Sequence, residues 1–62
     1  MQFTDAWHRF KFDFRNEHQR VTGFRLAMRM FYWREVRAYY RSGLSHQQAV
    51  AKYLKTEYRR AA

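Results

Sequence analysis

Thirteen lysines and arginines against five acidic residues give this 62-residue chain a net charge of +8, and it has no cysteine. That length makes one domain, residues 1–62, near the lower limit of independent folding, where only about 60% of the unfolded chain's surface is buried. Disulfides and cysteine-ligated zinc are excluded as staples, which leaves oligomerisation and the dense packing of thirteen aromatic side chains.

The absence of proline and the scarcity of glycine point to an all-α chain of three helices, at about 4–20, 23–42 and 46–60. In the first, Phe3, Trp7, Phe10, Phe14, Glu17 and Val21 recur at alternating spacings of four and three, the pattern of a helical seam. Thr4 is placed to cap it, and Asp5 suits the positive end of its dipole. Phe10-Lys-Phe-Asp-Phe also alternates with period two, but a lone strand would have nothing to pair with.

The second predicted helix has two apolar ridges. One collects Phe24, Ala27, Met28, Phe31, Ala38 and Tyr39. The other collects Leu26, Met30, Trp33, Val36 and Tyr40 among Arg25, Arg29, Arg34, Arg37 and Arg41. A helix with one neighbour needs only one such stripe. Two ridges predict a homodimer, intertwined or side by side, formed through this helix, with Phe24, Met28 and Phe31 in the core or dimer seam. Thr22 and Gly23 mark the break before it, although the seam continues in phase and a single bent helix over residues 5–41 is the alternative. The next break is clearer. Gly43 stands where a helix C-terminus requires left-handed geometry, Leu44 can fold back on Tyr39, and Ser45 with Gln48 forms a capping box with Leu44 against Ala49 as its staple. The last helix groups Ala49, Val50, Tyr53, Leu54 and Tyr58 and ends on Arg59 and Arg60.

No catalytic constellation is visible. His8, His18 and His46 are too scattered for a metal or catalytic pair and read as solvated or partly packed. No Ser/His/Asp arrangement and no glycine-rich phosphate loop is present. The chain is therefore expected to be non-catalytic, with no cofactor, no metal and no small-molecule substrate. Glu35, an acid within an apolar stripe, is expected to pair with Arg34, Arg37 or an arginine of a neighbouring helix, or to fix register at an interface.

Charge is unevenly spread: residues 1–21 sum to +1, residues 22–43 to +4 and residues 44–62 to +3. Such a field attracts acidic partners or polyanions. Arginine interleaved with tryptophan and tyrosine is also the composition of protein-interface hot spots. The expected contact residues for an acidic protein partner are Trp33, Arg34, Arg37, Tyr40 and Arg41. Nucleic acid is the alternative partner, through the same arginines with Lys52, Lys55, Arg59 and Arg60. Scattering of arginine through the second ridge argues against a membrane-surface helix. No apolar run approaches the roughly 20 residues of a membrane span. The N-terminus lacks the basic start and apolar stretch of a signal peptide, so a cytoplasmic location is expected.

Two resemblances bear on function. Gly43-Leu-Ser-His-Gln-Gln-Ala-Val-Ala-Lys-Tyr-Leu resembles the first helix of transposase-type helix-turn-helix domains; only eight residues follow Leu54 for a turn and a recognition helix. Ala6-Trp-His-Arg-Phe-Lys-Phe-Asp-Phe-Arg and His46-Gln-Gln-Ala-Val-Ala-Lys-Tyr-Leu resemble the small, basic, cysteine-free accessory proteins of the early regions of lambdoid bacteriophages. The second resemblance implies a regulatory binding protein acting in phage development or host takeover, in the host cytoplasm. It carries over no site residues.

Overall fold

Backbone breaks at two glycines divide the computed structural model, which describes residues 6–61, into three α-helices. These are α1 (Ala6–Thr22), α2 (Trp33–Arg41) and α3 (His46–Ala61). The Phe10–Phe14 stretch is helical, and the described residues contain no strand. Phe3, Thr4 and Asp5, expected at the start of the first helix, lie outside the described residues.

Both ends of the second connection match the sequence expectation. Gly43 adopts φ +87°. The Leu44 amide donates to Tyr39 O at 3.2 Å and the Gly43 amide to Tyr40 O at 3.0 Å, the paired bonds of a Schellman cap. The Ser45 amide then donates to Gln48 Oε1 and the Gln48 amide to Ser45 Oγ, which closes the capping box of α3. Helix α3 runs through Leu54 without interruption, so the turn that a transposase-type recognition helix would need after it is not formed.

The second predicted helix is half replaced. Gly23 takes φ +75°, its amide closes the last turn of α1 on Gln19 O, and the chain leaves helical geometry. Residues 24–32 form an irregular connection with a single 3-10 turn at Met28–Met30, and only Trp33–Arg41 is α-helical. Side chains take over bonds that a helix would have made internally. Thr22 Oγ1 donates to His18 O and accepts the Phe24 amide. Arg15 Nε donates to Leu26 O at 3.0 Å, Trp33 Nε1 to Met28 O at 2.6 Å, and the Tyr32 amide to Tyr53 Oη at 3.2 Å. Backbone groups of this segment are thus satisfied by α1, α2 and α3, which is what allows it to be non-helical in a packed environment. Neither a continuous helix over 23–42 nor a bent helix over 5–41 forms.

This correction redistributes the predicted seam. Phe31 is 5% exposed and central to the core, Met28 is half-buried, and Phe24 is 64% exposed. Phe14, Phe31, Val36, Ala49, Val50 and Tyr53 make up the buried apolar cluster, flanked by Trp7, Phe10, Leu26, Trp33, Tyr39, Leu44 and Leu54. Its aromatic rings meet edge to face: Phe14 with Phe31 at 5.5 Å and Phe14 with Tyr53 at 5.3 Å between centroids. Such geometry adds about 0.5–1.5 kcal/mol per pair beyond area burial. His18 belongs to this core as well, 5% exposed and edge-on to Phe31 at 5.0 Å, contrary to the expectation of a solvated or partly packed ring. The seam of α1 turns at Phe14 toward His18, four residues on, and leaves Val21 exposed.

Candidate functional site

Trp33, the first residue of helix α2, and Tyr40, in its third turn, both pack against α1. Trp7 meets Trp33 edge-on at 6.2 Å and lies 5.3 Å from Tyr40, and Phe10 lies 4.9 Å from Tyr40. Trp33 is held further by its indole N–H on Met28 O. The cluster is a packed aromatic bed between α1 and α2. Cations cover it: the Lys11 ammonium lies 5.7 Å from the Trp7 ring and 5.3 Å from the Trp33 ring, and the Arg37 guanidinium 5.0 Å from Trp7.

Arg34, Arg37 and Arg41 follow one another at spacings of three and four, so they share one face of α2. All three are exposed, and none makes a salt bridge among the described residues. Of the five predicted partner-binding residues, these three form the solvent-facing part. Trp33 and Tyr40 are half-buried and supply the bed beneath. Trp7, Phe10 and Lys11 were not picked out as site residues in the sequence. The Trp7–Lys11 spacing of four, which stacks the two side chains on one face of α1, is a signal that could have found those two.

Lys52, Lys55 and Arg59 are brought together on the outer face of α3. With Gln48, Ala51 and Thr56 they line an open groove of 470 Å³. Lys52 also approaches the Tyr39 ring at 6.0 Å, so this basic strip borders α2. Arg60, expected to belong with these cations, is turned away. It donates to Glu35 Oε1 at 2.6 Å and to Glu57 Oε2 at 3.0 Å, and sits 4.5 Å over the Tyr32 ring. The Glu35 carboxylate accepts the Tyr39 hydroxyl as well, at 2.6 Å. Glu35 therefore pairs with an arginine of a neighbouring helix and ties α2 to the end of α3. Its bond holds the Arg60 guanidinium pKa above the ordinary value, and burial with the Glu35 bond raises that of the Tyr39 phenol.

A second groove, of 380 Å³, opens where the irregular connection crosses α1 and α3. Phe24, Leu26, Met30, Tyr32, Tyr53 and Leu54 line it together with His18 and Glu57. Burial lowers the His18 pKa, and its Nδ1 has no hydrogen-bond partner. Burial pushes the Tyr53 phenol up to about 12. Both groups are thus neutral at physiological pH, and Glu57 is the charged side chain in a lining that is otherwise mainly apolar. Among the described residues, no group of three or more histidine, aspartate or glutamate side chains is placed to hold a metal ion. No helix among them is long and apolar enough to cross a membrane. No protein-family model matches the chain, no curated protein matches its sequence, and no solved structure matches its fold.

Proposed function

We propose that this is a non-catalytic regulatory protein that binds an acidic protein surface through the arginine face of α2, a role of the kind implied by the resemblance to lambdoid phage early proteins. The observation that carries it is the combination of three exposed cations with no carboxylate partner among the described residues and an aromatic cluster packed beneath them. Arg34, Arg37 and Arg41 are exposed on one face of α2, where a row of carboxylates could meet them. Arginine donates to such carboxylates bidentately and retains its charge when desolvated. Stacking of unpaired bases is disfavoured, because Lys11 and Arg37 lie over the Trp7 ring, Lys11 also lies over the Trp33 ring, and the two indoles meet edge to face.

Duplex nucleic acid is the second reading, favoured by the grouping of Lys52, Lys55 and Arg59 in one groove of α3. Three phosphate contacts would give a log–log salt slope of about −2.7. The test is capture of partners by the immobilised full chain, with and without nuclease. Wild type is compared with Arg34→Glu/Arg37→Glu/Arg41→Glu and with Lys52→Glu/Lys55→Glu/Arg59→Glu. Capture of a protein that resists nuclease and is lost with the α2 variant is the expected result. Capture that nuclease abolishes, and that depends on the α3 cations, replaces this function with the second.

A further inference from the structure

We infer that the two basic faces act together: the α3 groove holds the phosphate backbone of duplex nucleic acid while the α2 arginines hold the acidic partner, which makes the chain an adaptor between the two. The adaptor rests on the α2 function proposed above and extends it with a second site, occupied at the same time and not as a rival.

Helix geometry puts the two sets of cations on different sides of α2. At about 100° per residue, Tyr39 lies roughly 140–160° round the helix from Arg34, Arg37 and Arg41. Tyr39 is where α2 meets α3: its hydroxyl lies 3.4 Å from Thr56 Oγ1, and the Lys52 ammonium lies 6.0 Å from its ring. Glu35, roughly 100–160° from the same arginines, is held by Arg60 of α3. The arginine row therefore points away from α3. The body of α2, about 10 Å across with its side chains, stands between the two faces. That exceeds the roughly 8 Å Debye length at physiological salt, so two anionic partners on these faces are screened from one another.

The chemistry of the α3 strip fits a phosphate backbone. Lys52, Lys55 and Arg59 fall within about 60° of arc, are all exposed, and make no salt bridge among the described residues. Glu57, the one acid of α3, lies roughly 140–160° away and is taken by Arg60. Gln48 uses Oε1 to accept the Ser45 amide, which leaves its N–H groups as donors. The groove lining thus supplies cations and donors and no carboxylate. From Lys52 to Arg59 the strip is about 10 Å long, the axial span of about three phosphates of one strand. No aromatic side chain lines it, so it lacks both the anchors of a protein hot spot and the platforms on which unpaired bases stack. Two of its three cations are lysines, which bind phosphate as point charges. Such contacts position a duplex without reading its sequence.

Fluorescence anisotropy with two labelled probes, a short DNA duplex and decaglutamate, tests the adaptor on the full chain at physiological salt. Two triple variants remove the same three positive charges from different places: Lys52→Gln/Lys55→Gln/Arg59→Gln and Arg34→Gln/Arg37→Gln/Arg41→Gln. The α3 variant is expected to weaken duplex binding about tenfold or more and to flatten the log–log salt slope by about 2.7. The α2 variant should change duplex affinity less than about threefold, since its cations lie beyond a Debye length from the strip. Lys55→Gln alone should flatten the slope by about 0.9, which provides a milder variant should the triple change disturb α3. Decaglutamate should bind wild type and the α3 variant alike, should be lost with the α2 variant, and in excess should leave the duplex bound. Equal losses of duplex affinity in the two triple variants overturn the adaptor and leave the acidic-partner function standing. Release of the duplex by decaglutamate bound at α2 does the same. Decaglutamate binding that is indifferent to the α2 variant counts against that function, and against the adaptor built on it.

Discussion

Phe24 and Phe31 lie seven residues apart and would share a stripe in a continuous helix; the structure buries one and exposes the other. Truncating each in turn therefore measures whether residues 24–32 fold as described. Phe31 is 5% exposed and packs against Phe14, His18, Trp33 and Tyr53 with centroid separations of 5.5, 5.0, 5.0 and 5.9 Å. Buried Phe→Ala changes cost about 3–5 kcal/mol. At about 0.05–0.15 kcal/mol per residue, a chain of this size has a total stability of only about 3–9 kcal/mol. Phe31→Ala is thus expected to leave the protein largely unfolded or close to it at ambient temperature. Phe31→Leu keeps most of the volume but loses the ring–ring geometry; about 1–2 kcal/mol is expected, a fall in melting temperature of about 4–16 °C at roughly 4–8 °C per kcal/mol. Phe24→Ala, measured at high dilution so that self-association contributes nothing, should change stability by no more than about 0.5 kcal/mol. Thermal and urea melts followed by circular dichroism give all three values. Equal losses for Phe24→Ala and Phe31→Ala would mean that the two share one buried stripe, and would refute the broken-helix description.

Two further expectations concern the core histidine and the α2–α3 turn. Because burial lowers the His18 pKa, the unfolded chain takes up this proton near its ordinary 6.5 and the native protein only at lower pH; the contribution of neutral His18 to stability is complete above about pH 6.5 and is lost as pH falls from there to the native value, with a slope of at most about 1.4 kcal/mol per pH unit. Urea melts across that window should show the decline in wild type and less of it in His18→Gln; an identical decline in both would remove His18 as its source. At Gly43 nothing lies within 4 Å of an added Cβ, so Gly43→Ala meets backbone strain alone at φ +87°, expected at about 1–2 kcal/mol. Gly43→Asn should cost less, and an alanine variant as stable as wild type would contradict the left-handed cap.

What the sequence determined by itself is local. Helix α1, the Gly43 turn and the Ser45–Gln48 capping box depend on residues within a few positions of one another, and their physics is complete in a short window of chain. The same holds for the row Arg34, Arg37 and Arg41, whose spacing places them together on any helix. Residues 24–32 were not legible in that way. Their composition suits a helix, and intrinsic propensity differs by less than about 1 kcal/mol per residue among ordinary side chains. Bonds from Arg15, Trp33 and Tyr53, with burial of Phe31 among rings from α1, α2 and α3, outweigh that preference. The roles of His18 in the core, of Arg60 on Glu35, and of Trp7 and Lys11 beneath the arginine face were decided in the same manner. Each depends on partners distant in sequence, and only the tertiary packing brings those partners within reach.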